Sequence, residues 1–452
     1  MSEIKKNDII NILINDVTLE GDGVGRTSDG RVVFCFGARK GETASMKIIK
    51  VTKNYLVGRL LSHSTITSEN CPHYPVCGGC TLLHYDYNET LSLKENYVRE
   101  TMARIGGIRG IPYDNILPSP DTFGYRNKTI YRFNDNCGCG FFRRNSHDVV
   151  EAGNCPLENE ISTKIRTVFK ELLSSYNIPI YSEKTTSGIL REIMVRVSFS
   201  EKKAMLVIVV KEDKIPKEFI DEIIEKVPEI SSLYVNVNAS ETNTLLGDFY
   251  RLAYGLPAIR DTIGPAVFEI SPQSFFQVNP SQTERLYEKA FEYAGMKNGD
   301  SLLDLFCGIG TIGQYFAVRM ADSGIKLSKL SGIEYTPEAI DNARKNVLLN
   351  NIGCETDYHA GDAGMVLSNA SFDSTVCVVD PPRKGMDAMV IDAISRMPSL
   401  ERLVYISCNP ATLARDVKLF TERGFACEKV CPVDMFPFAG HVECVVLLSK
   451  HS

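Results

Sequence analysis

The order of hydrophobic and polar positions divides the chain into regions with different predicted elements. Up to about Leu60, short apolar runs such as residues 9–14 and 44–51 alternate with glycine turns. This pattern predicts a small five-stranded β-barrel of the OB-like type. Residues 120–265 mix strand-like and helix-like runs, which predicts a central α+β domain. From Ser301 onward strands and helices alternate regularly, which predicts a parallel, doubly wound α/β sheet.

Length and composition fit several ordered domains. At roughly 150 residues per domain, the 452 residues predict about three domains. No apolar run approaches the ~20 residues that span a bilayer, and the N-terminal residues show no secretory signal. We therefore expect a cytoplasmic protein with no membrane association, in which the fourteen cysteines serve as thiols, nucleophiles or metal ligands. The net charge of −6 argues against a generally basic surface for nucleic acid, although local basic patches can coexist with it.

A glycine-rich turn follows the predicted strand at residues 301–305. Gly308, Gly310 and Gly313 lie where a helix can begin, and the free amides of a helix start bind ligands. The Gly-x-Gly-x-x-Gly spacing alone is a weak signal, because it fits a dinucleotide site or merely a tight turn. The turn therefore gains meaning only from the strands that follow it.

Acidic residues lie at the ends of the next predicted strands. Glu334 can accept hydrogen bonds from a ribose diol, Asp362 is expected beside an adenine edge, and the fourth strand ends in Asp380-Pro381-Pro382. This series resembles that of the class I S-adenosylmethionine-dependent methyltransferases. A nicotinamide dehydrogenase is the alternative, but Asp-Pro-Pro has no place in its pattern. A Rossmann-like methyltransferase domain is therefore expected.

Cys408 is the candidate nucleophile. It follows the apolar run 403–406, at the carboxyl edge where open α/β sheets bind ligands. C5 of uracil is a weak nucleophile, and addition of a thiolate to C6 converts the ring into an enolate that can attack a methyl donor. The C5 proton must then leave, so a base is needed. His441 and Glu443 lie two residues apart at the start of the last predicted strand, and Glu443 is the candidate base.

Several motifs together resemble the RNA uracil-5-methyltransferase family over essentially the whole chain. They are residues 271–279, 304–310, 380–383, 407–410 and 441–443. The resemblance implies that Gln277, Phe306, Glu334 and Asp380 bind S-adenosylmethionine, that Cys408 is the nucleophile and that Glu443 is the base. It further implies that Phe275 and Gln277 flank a flipped uracil. An RNA cytosine-5-methyltransferase would carry Pro-Cys where this chain has Pro381-Pro382.

Cys71, Cys77 and Cys80 follow the spacing C-x5-C-x2-C, and Cys155 is the best candidate for a fourth ligand. In the family that the chain resembles, the ribosomal-RNA branch carries a [4Fe-4S] cluster at such positions, which favours that cluster here. Structural zinc is the alternative, although zinc sites usually show two C-x2-C pairs. Cys137 and Cys139 form a rival pair for the fourth ligand, with less support.

RNA-binding elements are expected at the N-terminal end and in the central domain. The glycine-containing segments 21–26 and 37–42 are interpreted as turns of the barrel, and they resemble the TRAM type of RNA-binding module. Tyr125, Arg126 and Lys128 combine an aromatic ring with basic groups, which suits base stacking and phosphate neutralisation. They are candidate RNA contacts.

These observations predict a TRAM domain at residues 1–62, a central domain with the cysteine cluster at 63–265 and a catalytic domain at 266–452. The expected activity is S-adenosylmethionine-dependent formation of 5-methyluridine in RNA, with 23S ribosomal RNA as the expected substrate. Transfer RNA is the close alternative, because the same chemistry serves both. A catalytically inactive RNA-binding iron-sulfur protein is the alternative from another class. A monomer without an obligate protein partner is expected.

Overall fold

The N-terminal strands close into a barrel in the computed structural model, which describes residues 4–61, 68–134, 136–240 and 244–450. Alternate residues of each strand face the barrel core, as the apolar alternation predicts. The barrel order β1-β2-β3-β5-β4 confirms the predicted five-stranded barrel. The predicted domain end at residues 62 and 63 lies outside the described residues. The strands are β1 (Ile9–Val17), β2 (Asp22–Arg26), β3 (Val32–Phe36), β4 (Thr43–Val51) and β5 (Tyr55–Leu60).

The interpretation of residues 21–26 as a turn is wrong, because most of this segment forms β2. Its glycines permit close packing inside a narrow barrel. A Cβ atom on Gly23 would lie 2.6 Å from the carbonyl oxygen of Ala38, and one on Gly25 would lie 2.2 Å from Cγ2 of Ile12. Glycine in a strand often marks such a close approach.

A seven-stranded sheet in the order β12-β11-β10-β9-β6-β7-β8 forms the central region. Helices α2 and α3 cover one face, where Phe169 and Phe219 join its apolar core. Helix α1 precedes the sheet in the chain. The elements are α1 (Tyr87–Arg104), β6 (Lys128–Phe133), β7 (Cys139–Phe142), β8 (Val149–Glu151), α2 (Glu160–Tyr176), β9 (Leu190–Ser198), β10 (Lys203–Val210), α3 (Lys217–Lys226), β11 (Ile230–Val237) and β12 (Phe249–Gly255).

The C-terminal region is a second seven-stranded sheet with helices on both sides, preceded by a β-hairpin. The sheet order is β17-β16-β15-β18-β19-β21-β20, so the strand order reverses between β15 and β18. Its elements are β13 (Ile259–Ile263), β14 (Ala266–Ile270), α4 (Pro280–Ala294), β15 (Ser301–Leu305), α5 (Thr311–Asp322), β16 (Lys329–Glu334), α6 (Pro337–Leu349), β17 (Glu355–Ala360), α7 (Ala363–Asn369), β18 (Val376–Val379), α8 (Ala388–Arg396), β19 (Arg402–Ser407), α9 (Pro410–Thr421), β20 (Phe425–Val433) and β21 (Glu443–Lys450).

The last strand departs from the predicted all-parallel sheet. Strands β15 to β19 pair in parallel, but β21 lies antiparallel between β19 and β20. A parallel connection needs a crossover of a dozen or more residues, whereas the loop 434–442 between β20 and β21 is short and contains no helix. The chain therefore turns back directly, and this brings the start of β21 beside the end of β19.

The central region and the C-terminal sheet share packing. Residues of β9, β10 and β11 contribute to the same apolar core as the hairpin β13–β14 and helix α4. Segment 108–119 runs along β20, where the amide of Asp114 donates to the carbonyl of Val430 and that of Leu117 to the carbonyl of Pro432. Within the described ranges, no helix has the length and apolar character needed to cross a bilayer.

Candidate functional site: a cleft at the switch point and a cysteine cavity

A cleft of 690 Å³ lies at the carboxyl ends of the parallel strands, where the strand order reverses. Loops on either side of such a reversal diverge, so open α/β sheets bind ligands there. Separate segments of the chain bring eight of the predicted site residues to this cleft: Phe275, Gln277, Phe306, Glu334, Asp362, Asp380, Cys408 and Glu443.

Asp304 holds the glycine loop between β15 and α5 in place. This fully buried carboxylate accepts a hydrogen bond from the amide of Gly313 at 2.8 Å, and burial raises its pKa to about 8. A Cβ on Gly308 would meet nothing within 4 Å, so the backbone there faces open space in the cleft. Phe306 has φ of 62°, a left-handed conformation that is strained for a non-glycine residue. Such strain is concentrated at ligand sites.

Two acids continue the wall of this half of the cleft. Glu334 ends β16, and its carboxylate accepts from the amide of Gly308 at 3.2 Å and from that of Thr336 at 3.0 Å. Asp362 caps α7 by accepting from the amide of Met365 at 3.1 Å. Each carboxylate is therefore held in one orientation by backbone amides. Their remaining lone pairs can accept hydrogen bonds from a ligand.

Helix α9 holds the loop that begins with Asp380. Asn409 Nδ2 donates to the carbonyl of Arg383 at 3.0 Å, and the buried Asp416 accepts from the amide of Met386 at 2.8 Å. Hydrogen bonds therefore connect the loop after β18 to the helix after β19. This arrangement fixes Asp380 relative to Cys408.

Cys408 lies between β19 and α9, one residue before the helix cap Asn409. Burial raises the pKa of its thiol to about 11, and the nearby Glu443 and Asp380 add to this effect. The guanidinium of Arg383 acts in the opposite direction. The adjacent helix N-terminus also favours an anion. The thiol is half-buried and faces the cleft.

Glu443 is 3% exposed and begins β21. Burial and the nearby Asp380 raise the pKa of the Glu443 carboxyl, and burial also raises that of Asp380. Glu443 Oε2 has no hydrogen-bond partner within the described part of the chain. A buried carboxyl with a raised pKa suits exchange of a proton near neutral pH. His441 lies at the same cleft, with its ring 5.8 Å from that of Phe436.

The loop 271–279 closes the opposite side of the cleft. Its residues alternate in direction, because Phe275 is 66% exposed whereas Phe276 is buried in the core. Gln277 is buried, and its carbonyl accepts from Asn127 Nδ2 at 2.9 Å. Arg196 Nη2 donates to the carbonyl of Ser274 at 2.7 Å. The central sheet therefore supports a loop that presents an exposed aromatic ring at the mouth of the cleft.

A second cavity, of 360 Å³, is lined by Cys71, Cys77, Cys80 and Cys155. The rival residues Cys137 and Cys139 do not line it, and Cys139 is buried in the core beneath α2. Burial raises the pKa of Cys80 and of Cys155 to about 12. Among the described residues, no group of three or more His, Cys, Asp or Glu side chains is arranged to hold a metal ion.

Tyr125, Arg126 and Lys128 lie away from the cleft. Tyr125 is 3% exposed, and its hydroxyl donates to the carbonyl of Pro437 at 3.5 Å. Arg126 and Lys128 line the cysteine cavity, where Arg126 Nε is buried without a hydrogen-bond partner in the described chain. Their predicted contact with RNA stays a prediction.

Sequence reasoning assigned no role to three groups around the cleft. Arg383 directly follows Asp380-Pro381-Pro382, and this position next to a predicted site residue could have indicated that it lies at the cleft. The fully buried Lys94 pairs with Asp434 at 2.6 Å and also donates to the carbonyl of Phe436. Removing one partner of such a pair typically costs about 3–5 kcal/mol. No local pattern could have found it, because α1 and the loop 434–442 are far apart in sequence.

Comparison with known proteins identifies the family. The sequence model described as tRNA (Uracil-5-)-methyltransferase matches residues 362–451, and that of the TRAM domain matches residues 5–61. A protein named uncharacterized RNA methyltransferase from Bacillus cereus is 38% identical over 459 residues, which cover 99% of this chain and 98% of that protein. One with the same name from Clostridium tetani is 37% identical over 460 residues, covering 99% and 98%.

A solved structure agrees with these matches. The crystal structure of Pyrococcus abyssi tRNA (uracil-54, C5)-methyltransferase in complex with S-adenosyl-L-homocysteine has a TM-score of 0.76 and 28% identity, covering 97% of this chain and 100% of that one. The predicted TRAM module is confirmed. The chain therefore belongs to the family of S-adenosylmethionine-dependent RNA uracil-5-methyltransferases, with a TRAM domain at its N-terminal end.

Proposed function

We propose that this protein methylates C5 of a uridine in 23S ribosomal RNA, through a covalent bond between Cys408 Sγ and uracil C6. One observation carries the proposal: Cys408, Glu443 and Asp380 line a single cleft beside the glycine loop. A nucleophile, a base and a methyl-donor site can therefore act on one ring. In the inactive alternative, at least one of these groups would be expected to be missing or to lie away from the cleft.

The half of the cleft beside the glycine loop is assigned to S-adenosylmethionine, which supplies an electrophilic methyl group when bound. Glu334 accepts hydrogen bonds from the ribose, Asp362 faces the adenine edge, and Phe306, Gln277 and Asp380 complete the pocket. Asp304 acts indirectly, because it holds the amide of Gly313 and with it the loop. The roles of these side chains follow from their places in the cleft and from the resemblance to the family.

The remaining half of the cleft is assigned to uracil. Phe275, exposed at the mouth, stacks on RNA as the target base leaves its stack and enters the pocket. Cys408 Sγ adds to C6, and the ring electrons then shift so that C5 attacks the methyl group. Glu443 takes the C5 proton afterwards. The electron pair of that C–H bond restores the C5=C6 double bond, and the Cys408 thiolate leaves C6.

A [4Fe-4S] cluster is assigned to Cys71, Cys77, Cys80 and Cys155. Tetrahedral zinc has Zn–S distances of ~2.3 Å, so its ligand sulfurs lie within ~4 Å of one another. In a cubane cluster each cysteine binds a different iron, so the sulfurs surround a larger space. Four thiols around a cavity of 360 Å³ favour the larger group. The unpartnered Arg126 Nε can balance its negative charge.

The proposal assigns one function to each of three regions of the chain. Residues 1–62 bind RNA as the TRAM domain, 63–265 hold the cluster, and 266–452 carry out methyl transfer. The 23S substrate rests on the resemblance of the cysteine pattern to the ribosomal-RNA branch. Transfer RNA is the second candidate, because the chain is similar to an enzyme named for uracil 54 of tRNA.

Mapping 5-methyluridine in a deletion strain tests the proposal. Ribosomal RNA and transfer RNA are isolated from the deletion strain, from the parent and from a strain complemented with Cys408→Ala. We expect loss of one or more 5-methyluridines in 23S RNA in the deletion and in the Cys408→Ala strain. Loss only in transfer RNA would establish the second candidate, and unchanged methylation in both RNAs would contradict the proposed activity.

A further inference from the structure

The loop 434–442, which leads into Glu443, has no regular structure of its own, yet it is held firmly at Phe438. The carbonyl of Phe438 accepts from the amides of Thr81 at 3.1 Å and Leu82 at 3.0 Å. These two residues directly follow Cys80, the third of the cavity cysteines. The loop with the candidate base is therefore joined by backbone hydrogen bonds to the segment that forms the cysteine cavity.

The side chain of Phe438 strengthens this junction. It is 6% exposed and stacks on Phe123 with ring centroids 5.3 Å apart. Tyr74 and Leu83 belong to the same apolar cluster, and Cys80 packs against it. Phe438 itself has φ of 61°, a left-handed conformation that is strained for a non-glycine residue and persists only where surrounding contacts impose it. The junction imposes this conformation.

Cys408 shares one contact with the start of β21, because the preceding Ser407 pairs with Cys444. Its other contacts are separate: it precedes Asn409, whose side chain caps α9 and donates to the carbonyl of Arg383. None of these bonds passes through Phe438. A disturbance at Phe438 should therefore move Glu443 relative to the uracil ring while leaving the nucleophile in place.

We propose that Phe438 is a positioning residue for the base: it transmits the geometry of the cysteine segment to Glu443 and sets the rate of the last chemical step. This inference rests on the proposed function. In that step the C5 proton passes to the Glu443 carboxylate, the C–H electron pair forms the C5=C6 bond, and the C6–S bond breaks to release the Cys408 thiolate. Misplacing a catalytic group by about 1 Å can slow a step about 100-fold.

The test is a rapid-quench experiment with Phe438→Ala in the full-length protein. The covalent protein–RNA adduct is quantified by denaturing gel, and its methyl content by labelled S-adenosylmethionine. We expect methylated adduct to accumulate because its release slows about 10- to 100-fold. Affinity for S-adenosylmethionine and trapping by 5-fluorouridine RNA should stay within about twofold of the wild type, because those steps use the other contacts.

Hydrogen exchange of peptide 439–446 gives a second readout that does not depend on turnover. We expect faster exchange in Phe438→Ala, since loss of packing allows local opening. Phe123→Ala, which removes only the stacked ring, should give the same two changes at a smaller size if Phe438→Ala does not fold. Phe142→Ala is the control, because Phe142 adjoins Gly78 of the cysteine segment while its ring stacks on His147.

Release of the methylated adduct at the wild-type rate by both Phe438→Ala and Phe123→Ala would overturn the inference. So would an equal slowing by Phe142→Ala, because the effect would then be a general one on the cysteine segment. Failure of the proposed function looks different: the wild type itself would form neither 5-methyluridine nor a 5-fluorouridine adduct.

Discussion

The cleft and the cysteine cavity both surround partly buried thiols, yet their neighbours give these thiols different chemistry. In the cleft, a single cysteine lies near Arg383 and the start of a helix, with Glu443 and Asp380 alongside. In the cavity, burial raises the pKa of Cys80, and the neighbouring cysteines raise it further, with Arg126 as the opposing charge. One thiolate can form transiently with such help. Four thiolates together would repel one another strongly in a small buried space, and in the proposed cluster iron would balance their charge.

The largest expected effect separates the two regions directly. Cys408→Ala should lower turnover by at least about 10⁴-fold, because Cys408 is the one thiol among the described residues that line the cleft. S-Adenosylmethionine affinity and iron content should not change. Product formation and calorimetric titration check this. Substantial turnover by Cys408→Ala would remove the covalent route and with it the distinction drawn between the two sites.

Replacing a cavity cysteine, unlike Cys408→Ala, should change the iron content of the protein. Cys71→Ser, Cys77→Ser, Cys80→Ser and Cys155→Ser should each abolish the brown colour and the roughly four irons per chain of protein purified without oxygen. Cys139→Ser, buried outside the cavity, is the matched control and should keep both. Iron and zinc analysis, together with absorbance spectra, measures the metal content and the colour of each variant. A colourless wild type with one zinc would favour the structural-zinc alternative.

The two regions also differ in how far the sequence predicted them. Cleft residues such as Glu334, Asp380 and Cys408 follow successive parallel strands, whose carboxyl ends meet at one edge, so periodicity alone places them together. The cavity joins loop residues with no common period, and only the C-x5-C-x2-C spacing was local. Its position beside Phe438 could not be foreseen, because that contact depends on the antiparallel return of β21.

The misinterpreted glycine segment has the same cause. Gly23 and Gly25 were interpreted as turn residues, although the barrel needs them for close packing. A tertiary contact, absent from the local pattern, decided the outcome. Arg126 and Lys128 line the cysteine cavity, and their contact with RNA stays a prediction.

Glu443→Gln distinguishes the steps that follow nucleophilic addition. The amide cannot take the C5 proton, so methyl transfer should still occur and release should slow by about 10²–10⁴-fold. A methylated adduct that depends on Cys408 and S-adenosylmethionine should then survive denaturing electrophoresis. Glu428→Gln, a carboxylate outside the cleft, is the control. An unmethylated adduct would assign Glu443 to an earlier step.

A smaller effect is expected at the cofactor half of the cleft. Glu334→Ala removes a carboxylate held by the amides of Gly308 and Thr336, and it should weaken S-adenosylmethionine binding by about 1–3 kcal/mol. Titration calorimetry measures the change. Glu338→Ala, in the first turn of α6 and outside the cleft, is the matched control. Unchanged affinity in Glu334→Ala would remove this residue from the cofactor site.

The smallest expected effect concerns the charge that distinguishes Cys408 from the cavity thiols. The pKa of Cys408 is raised to about 11, so its thiolate fraction, and hence its alkylation rate, should rise about tenfold per pH unit from pH 7 upward. Arg383 lowers this pKa, so Arg383→Gln should raise it and shift the rate profile to higher pH.

We expect a shift of roughly 0.5 to 1 pH unit, since Arg383 is exposed and solvent screens its charge. At a fixed pH of about 8, that shift corresponds to a 3- to 10-fold slower modification of Cys408. Iodoacetamide labelling, followed by mass spectrometry of the peptide that contains Cys408, gives the profile.

Arg383→Lys should keep the wild-type profile because it keeps the charge. Lys384→Gln is the matched control, because it removes the same charge one residue away and Lys384 pairs with Asp387. An equal shift in Lys384→Gln would mean that the overall charge of the loop, rather than the position of Arg383, sets the reactivity of the nucleophile.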